Sequence, residues 1–185
     1  TGKWHLGQPH GTPPWERGFD RTLNSPAGGI YFRKQPYRPE IFLHGEKKMK
    51  DDPMFGQRWY STDLWADWGL KFVDEAIDAE RPFFLYLANC APHFPLMAPK
   101  ETIERYRGKY MEGWSKLREA RHRRQIELGV VDSAWPLSEL PPDVPEWESL
   151  SAEEQRRFDH MMAIYAAMLD RVDHNVGKVV AHLKE

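Results

Sequence analysis

The feature that most limits the fold is a run of mixed polarity, STDLWADWGLKFVDEAID, followed after a short connector by the apolar run FFLYLANC. In the first run, Leu64, Trp65, Trp68, Phe72, Val73, Ala76 and Ile77 recur at three- and four-residue steps. That period predicts a helix over 61–78 with one apolar face. Ser61 or Thr62 is its expected N-cap, and Asp63 suits the positive end of the helix dipole. Pro82 closes the connector. The second run, residues 83–90, does not alternate, and only Asn89 is polar, which predicts a strand buried on both faces. Helix, connector and buried strand make half of an α/β unit. The expected class is therefore α/β, with part of a mostly parallel sheet flanked by helices.

The rest of the chain arranges itself around that unit. Residues 1–60 open on TGKWHLG and continue through turn-rich segments, with SPAGG and DDP as breakers. Within them EIFLHGEKK predicts a short hairpin turning near Gly45. Residues 61–99 hold the helix, the strand and the loop APHFPLMAP, whose three prolines forbid regular structure. Residues 100–150 read as a helical and proline-rich insertion. A charged helix starts near Lys100, and a second spans roughly 114–128, closed by Gly129. The stretch WPLSELPPDVPEW is an extended loop stiffened by proline. Residues 151–185 form a last helix, its start marked by the capping box SAEE, with Met161, Tyr165, Met168, Val172, Val176 and Val179 as its expected buried stripe. That helix stays in phase to Glu185, and the chain opens without a Met, so an internal segment of a longer domain is expected.

Composition narrows the partners. A net charge of -2 gives no overall pull toward nucleic acid or an anionic membrane. No stretch has the length and apolarity of a spanning helix. The single cysteine, Cys90, rules out an internal disulfide framework.

Two places could carry chemistry. His93 lies just past the end of the buried strand, between Pro92 and Pro95. Ligands of open α/β sheets bind outside the carboxyl ends of the strands, which is where this imidazole stands. Lys3 and His5 are separated by one residue, so on an extended backbone both point to one side and Trp4 to the other. An ammonium and an imidazole side by side can hold an anionic oxygen. Gly2 and Gly7 permit close approach or positive φ. The plainer reading of each place is a packed histidine and a solvated edge strand over a buried Trp.

GKWHLG resembles the second signature of the type I sulfatases, members of the alkaline phosphatase superfamily, and FFLYLANCAPHFPLMAP is similar to the strand and loop that end in that family's active-site histidine. YRGKYMEGWSKLREARHRRQIELGVV, VPEWESLSAEEQ and MAIYAAMLDRVDHNVGKVV resemble the bacterial arylsulfatase branch, in collinear order over nearly the whole chain. The resemblance implies a sulfuric ester hydrolase with an alkaline phosphatase-like domain, a formylglycine nucleophile and Ca2+. It further implies a sulfated small molecule or sulfated glycan as substrate, and a periplasmic, secreted or lysosomal location. On this chain it assigns Lys3 to the sulfate ester and its leaving oxygen. It assigns His5 to the base beside the nucleophile, and His93 to sulfate binding and protonation of the leaving group.

The departures from the family are specific. Its nucleophile sits in a C/S-x-P-x-R run, whereas Cys90 begins CAPHF, with Phe94 in place of the arginine, and follows a strand; it reads as a core residue. Neither pair of metal ligands of the family is present: Asp51 and Asp52 read as an exposed turn, and Asp170 and Asp173 as the polar flank of the last helix. His5 and His10 lack a following carboxylate at ligand spacing. Lys116, Arg118, Arg121, Arg123 and Arg124 read as a solvated face or as a basic rim for polyanionic glycans, and Trp135 and Trp147 could stack on sugar rings. The expectation is the charge-stabilising half of a sulfatase site, inactive by itself. The rivals are a phosphodiesterase or phosphonate hydrolase of the same superfamily, and a non-catalytic glycan-binding relative.

Overall fold

The computed structural model describes residues 1–7, 9–35, 40–45, 47–49, 55 and 58–184. Asp51 and Asp52, read above as a turn, lie outside the described residues. The chain is α/β, with a sheet of β1 (Gly2–Lys3), β2 (Leu23–Ser25), β3 (Phe42–Leu43) and β4 (Lys47–Lys48) in that order. β1 and β2 are parallel, whereas β2–β3 and β3–β4 are antiparallel. β3 and β4 are the expected hairpin, turning through His44 and Gly45. On its other side Gly2 pairs in parallel with Ala88, so the extended residues 83–89 flank β1. Lys3 N–H donates to the Ala88 carbonyl at 2.7 Å, and Ala88 N–H to the Thr1 carbonyl at 2.9 Å.

The helices are α1 (Ser61–Asp78), α2 (Lys100–Glu104), α3 (Trp114–Glu127) and α4 (Ala152–His182). α1 forms where its apolar spacing predicts, and Leu64, Trp65, Phe72 and Val73 are buried. Its N-cap, however, is Tyr60. Ser61 lies inside the first turn because its hydroxyl donates to the Ile30 carbonyl instead of to its own helix. Leu23 and Leu43 meet Trp65 and Phe72 in the main apolar cluster, which fixes the sheet face that α1 covers. α3 ends before Gly129, whose φ of +69° takes the left-handed turn expected there.

α4 begins with the expected capping box: the Glu154 amide bonds the Ser151 hydroxyl, and the Glu154 carboxylate returns to the Ser151 amide. Its buried stripe differs from the expected one. Met168 and Val179 are buried, but Met161, Tyr165 and Val176 are exposed, and Asp159, Ala163, Ala167 and Asn175 turn inward. Polar pairing sets this phase. Arg171 and Asn175 both donate to Asp63, Lys178 pairs with Asp67, and His182 meets Asp74. The Asp159 carboxylate accepts from the backbone amides of Gly108 and Tyr110. A helix aligned by these contacts buries a mixed face, which a count of apolar residues alone does not find.

The strand predicted to be buried on both faces is covered on one. Leu85 and Leu87 pack against Ala66, Leu70 and Val179, whereas Phe84 is 79% exposed and meets Phe19. Alternation decides this: odd positions face α1 and α4, and even positions face a loop. Among the described residues, no helix is long and apolar enough to cross a membrane.

Candidate active site

Because residues 83–89, β1 and β2 run in parallel, their carboxyl ends lie on one edge of the sheet, the edge at which open α/β sheets bind ligands. Lys3 closes β1 and is half-buried. Its backbone fits between neighbours only because Gly2 has no side chain: φ is +105°, and a Cβ would lie 2.0 Å from the Ala88 carbonyl oxygen. Trp4 turns the other way, as alternation requires. It is buried edge-on against Phe19 and Tyr86, and its indole N–H donates to the Thr12 carbonyl at 2.8 Å. Extended pairing continues only through Trp4. A tight turn then closes from Leu6 N–H to the Trp4 carbonyl at 2.8 Å, leaving His5 exposed at its apex.

His93 stands in the loop after the parallel strand, held mainly through its backbone. Its amide donates to the Cys90 carbonyl at 2.9 Å, and its own carbonyl accepts from the Tyr31 hydroxyl at 2.5 Å. A second phenol, Tyr60, donates to the Met97 carbonyl at 3.0 Å further along the loop. Nδ1 of His93 bonds the Phe94 carbonyl, which can only accept. The proton therefore sits on Nδ1, and Nε2 is left to exchange a proton with a ligand.

The loop after β2 completes this edge. Gly28 lies against the His93 ring, where a Cβ would stand 3.0 Å from both Cγ and Cδ2. The buried amide of Gln35 holds this loop, accepting from the Tyr31 and Phe32 amides and donating to the Gly29 carbonyl. Gly28, Tyr31 and Gln35 are supports that sequence reading passed over, taking SPAGG only as a breaker. The glycine pair just past a strand end was the available signal. Among the described residues, Lys3, His5 and His93 share one sheet edge, and none of the three forms an ion pair. His10 lies apart, pairing with Glu16.

Cys90 is buried beneath this edge with Tyr31, Tyr60 and Met168. Burial pushes its thiol up to about 11 despite the nearby Lys3 charge, so it stays protonated at neutral pH. Asp170 is bound by Arg105 and by the Tyr106 hydroxyl at 2.8 Å. Among the described residues, no three His, Cys, Asp or Glu side chains gather as a metal site, so the calcium that the resemblance implies would need ligands from outside them. The aromatic and basic candidates of the insertion divide. Trp147 is 6% exposed and packs edge-on against Trp114, so it offers no face for a sugar. Trp135 is 63% exposed, and α3 buries none of its residues, so its basic side chains form a solvated face.

Comparison with known proteins gives the family. The chain is 33% identical to an uncharacterized sulfatase of Schizosaccharomyces pombe, over all of this chain and 35% of that protein. It is also 33% identical to an arylsulfatase of Klebsiella aerogenes, over all of this chain and 40% of that protein. The crystal structure of Ps i-CgsB in complex with k-i-k-neocarrahexaose superposes with a TM-score of 0.59 at 25% identity, over 99% of this chain and 32% of that one. The chain thus spans well under half the length of these relatives. The Sulfatase family model matches residues 1–185, the whole chain described above, and with the collinear relatives it establishes that this chain belongs to the sulfatase family.

Proposed function

We propose that this chain supplies charge stabilisation and proton transfer in an enzyme that cleaves sulfate esters. The observation that carries this reading is the parallel pairing of Gly2 with both Asn24 and Ala88, which brings two loops bearing cationic groups to one sheet edge.

When the S–O bond of a sulfate ester breaks, its electron pair stays on the departing oxygen. Preorganised positive charge stabilises that oxygen more than it does the intact ester. The Lys3 ammonium is the point charge for the ester oxygens. His93, protonated at Nε2, gives its proton to the leaving oxygen, and its Nδ1 bond to the Phe94 carbonyl keeps the ring oriented. His5, exposed at the turn, takes a proton in the complementary step. The nucleophile is assigned to none of these residues, and the buried, protonated Cys90 does not fit that role.

The substrate is an aryl or carbohydrate sulfate ester. Support comes from the arylsulfatase of Klebsiella aerogenes and from an N-acetylgalactosamine-6-sulfatase of Canis lupus familiaris, 31% identical over 60% of this chain and 23% of that protein. The neocarrahexaose complex extends the range to sulfated glycans.

The test is turnover by the full-length enzyme of para-nitrophenyl sulfate beside a para-nitrophenyl phosphodiester. Sulfate hydrolysis is expected to predominate, and Lys3→Ala to lower its kcat/KM by about 10²–10³-fold, the size of losing one preorganised charge donor. Preferential phosphodiester hydrolysis, or glycan binding without turnover of either ester, would overturn the reading.

A further inference from the structure

A cavity of about 810 Å³ opens beside the first turns of α1 and is lined by Phe32, Lys34, Arg58, Trp59, Lys100 and Glu101, among others. Neither Lys3, His5 nor His93 lines it. It is nonetheless tied to the same end of the sheet. Tyr60, which lines it, donates to the Met97 carbonyl in the loop that follows His93, and Lys100 begins α2 directly after that loop.

The charge around this cavity is uneven. Two of its carboxylates, Asp63 and Asp67, are already bound by Arg171 and Lys178 of α4. Lys34, Arg58 and Lys100 have no ion-pair partner among the described residues, and Glu101 alone is left to oppose them. Phe32 and Trp59 give the walls apolar surface. Cationic groups over an apolar wall suit a ring that bears anionic substituents, and the volume exceeds what one sulfate needs.

We infer that this cavity holds a sulfated sugar ring neighbouring the one whose ester is cleaved, so that the enzyme acts on multiply sulfated oligosaccharides. The inference rests on the sulfatase reading of Lys3, His5 and His93. Lys34, Arg58 and Lys100 then select substrate by its charge away from the scissile bond.

The experiment is isothermal titration of the full-length enzyme with a multiply sulfated hexasaccharide and with its desulfated counterpart, alongside turnover of para-nitrophenyl sulfate. The triple variant Lys34→Gln, Arg58→Gln, Lys100→Gln should bind the sulfated hexasaccharide about tenfold more weakly, the combined weight of three exposed ion pairs. Added salt should erase much of that difference. The charge-keeping variant Lys34→Arg, Arg58→Lys, Lys100→Arg should restore binding. Equal affinity in the wild type and the neutral variant, or an equal loss for the desulfated sugar, overturns the inference. If the binding difference persists in an enzyme that hydrolyses no sulfate ester, the cavity stands and the reading of the catalytic edge falls. Normal para-nitrophenyl sulfate turnover without the binding difference removes the cavity alone.

Discussion

The two edges of the sheet carry similar side chains to different ends. At the amino edge, Arg21 pairs with Glu75 at 2.8 Å, and the His44 ring lies 5.4 Å from Phe72 with Nδ1 accepting from the Thr22 amide. At the carboxyl edge, Lys3, His5 and His93 have no carboxylate partner among the described residues. The His93 loop is fixed through its backbone carbonyls by Tyr31 and Tyr60, the loop after β2 by Gln35, and the Lys3–Trp4 backbone by Ala88 and Ser25. A base tied to an acid is spent on structure. A base whose backbone is held and whose head group is free can act on a ligand. At that end of α1, Asp63 is drawn off by Arg171 and Asn175 of α4.

The comparison breaks most visibly at Asp63. Asp63→Ala removes the acceptor of three hydrogen bonds from Arg171 and Asn175. Denaturant titration should show a loss of about 1–3 kcal/mol, because a partly buried guanidinium loses its partner. An unchanged stability would mean that polar pairing does not set the phase of α4.

A smaller effect is expected at Gly28. Gly28→Ala forces a Cβ to within 3.0 Å of the His93 ring, so the ring or the loop must shift. The kcat/KM should fall about tenfold, since displacement of a positioned group by a fraction of an ångström is costly, while the unfolding midpoint stays close to wild type. A parallel fall in both would make Gly28 a folding residue rather than a support for His93.

The smallest effect belongs to the amino edge. Burial, with the Arg21 charge, lowers the pKa of His44. Since the unfolded chain then takes up its proton first, the stability tied to neutral His44 is present above about pH 6.5 and declines as pH falls through the lowered value. His44→Gln should flatten this acid-side slope in stability measured against pH. An identical slope in the variant would place the titration elsewhere.

How much of this was legible in the sequence depended on whether the signal was local. The α1 period, the α4 capping box, the hairpin at Gly45 and the turn at Gly129 rest on contacts within a few residues, and each formed as read. The inward phase of α4 did not follow from its apolar residues, because pairing with α1 across about a hundred residues brought Asn175 in and left Val176 out. Burial of residues 83–90 was overread for a related reason: their composition is apolar on both faces, but Leu85, Leu87 and Cys90 meet helices while Phe83, Phe84 and Tyr86 are exposed. The candidates Lys3, His5 and His93 were read from a motif, whereas Gly28 and Tyr31 belong to none. A glycine under an imidazole and a phenol on a loop carbonyl have no spacing rule to announce them.

The central claim is that the His93 imidazole gives its proton to the departing oxygen, and leaving-group dependence tests it most directly. In the full-length enzyme, His93→Ala should cost far more for a sugar sulfate, whose alkoxide is strongly basic, than for para-nitrophenyl sulfate, whose phenolate departs without help. A ratio of at least about a hundred between the two losses in kcat is expected, the scale of general acid catalysis. Equal losses for both substrates, at unchanged thermal stability, would contradict the assignment and leave His93 only a sulfate-binding role.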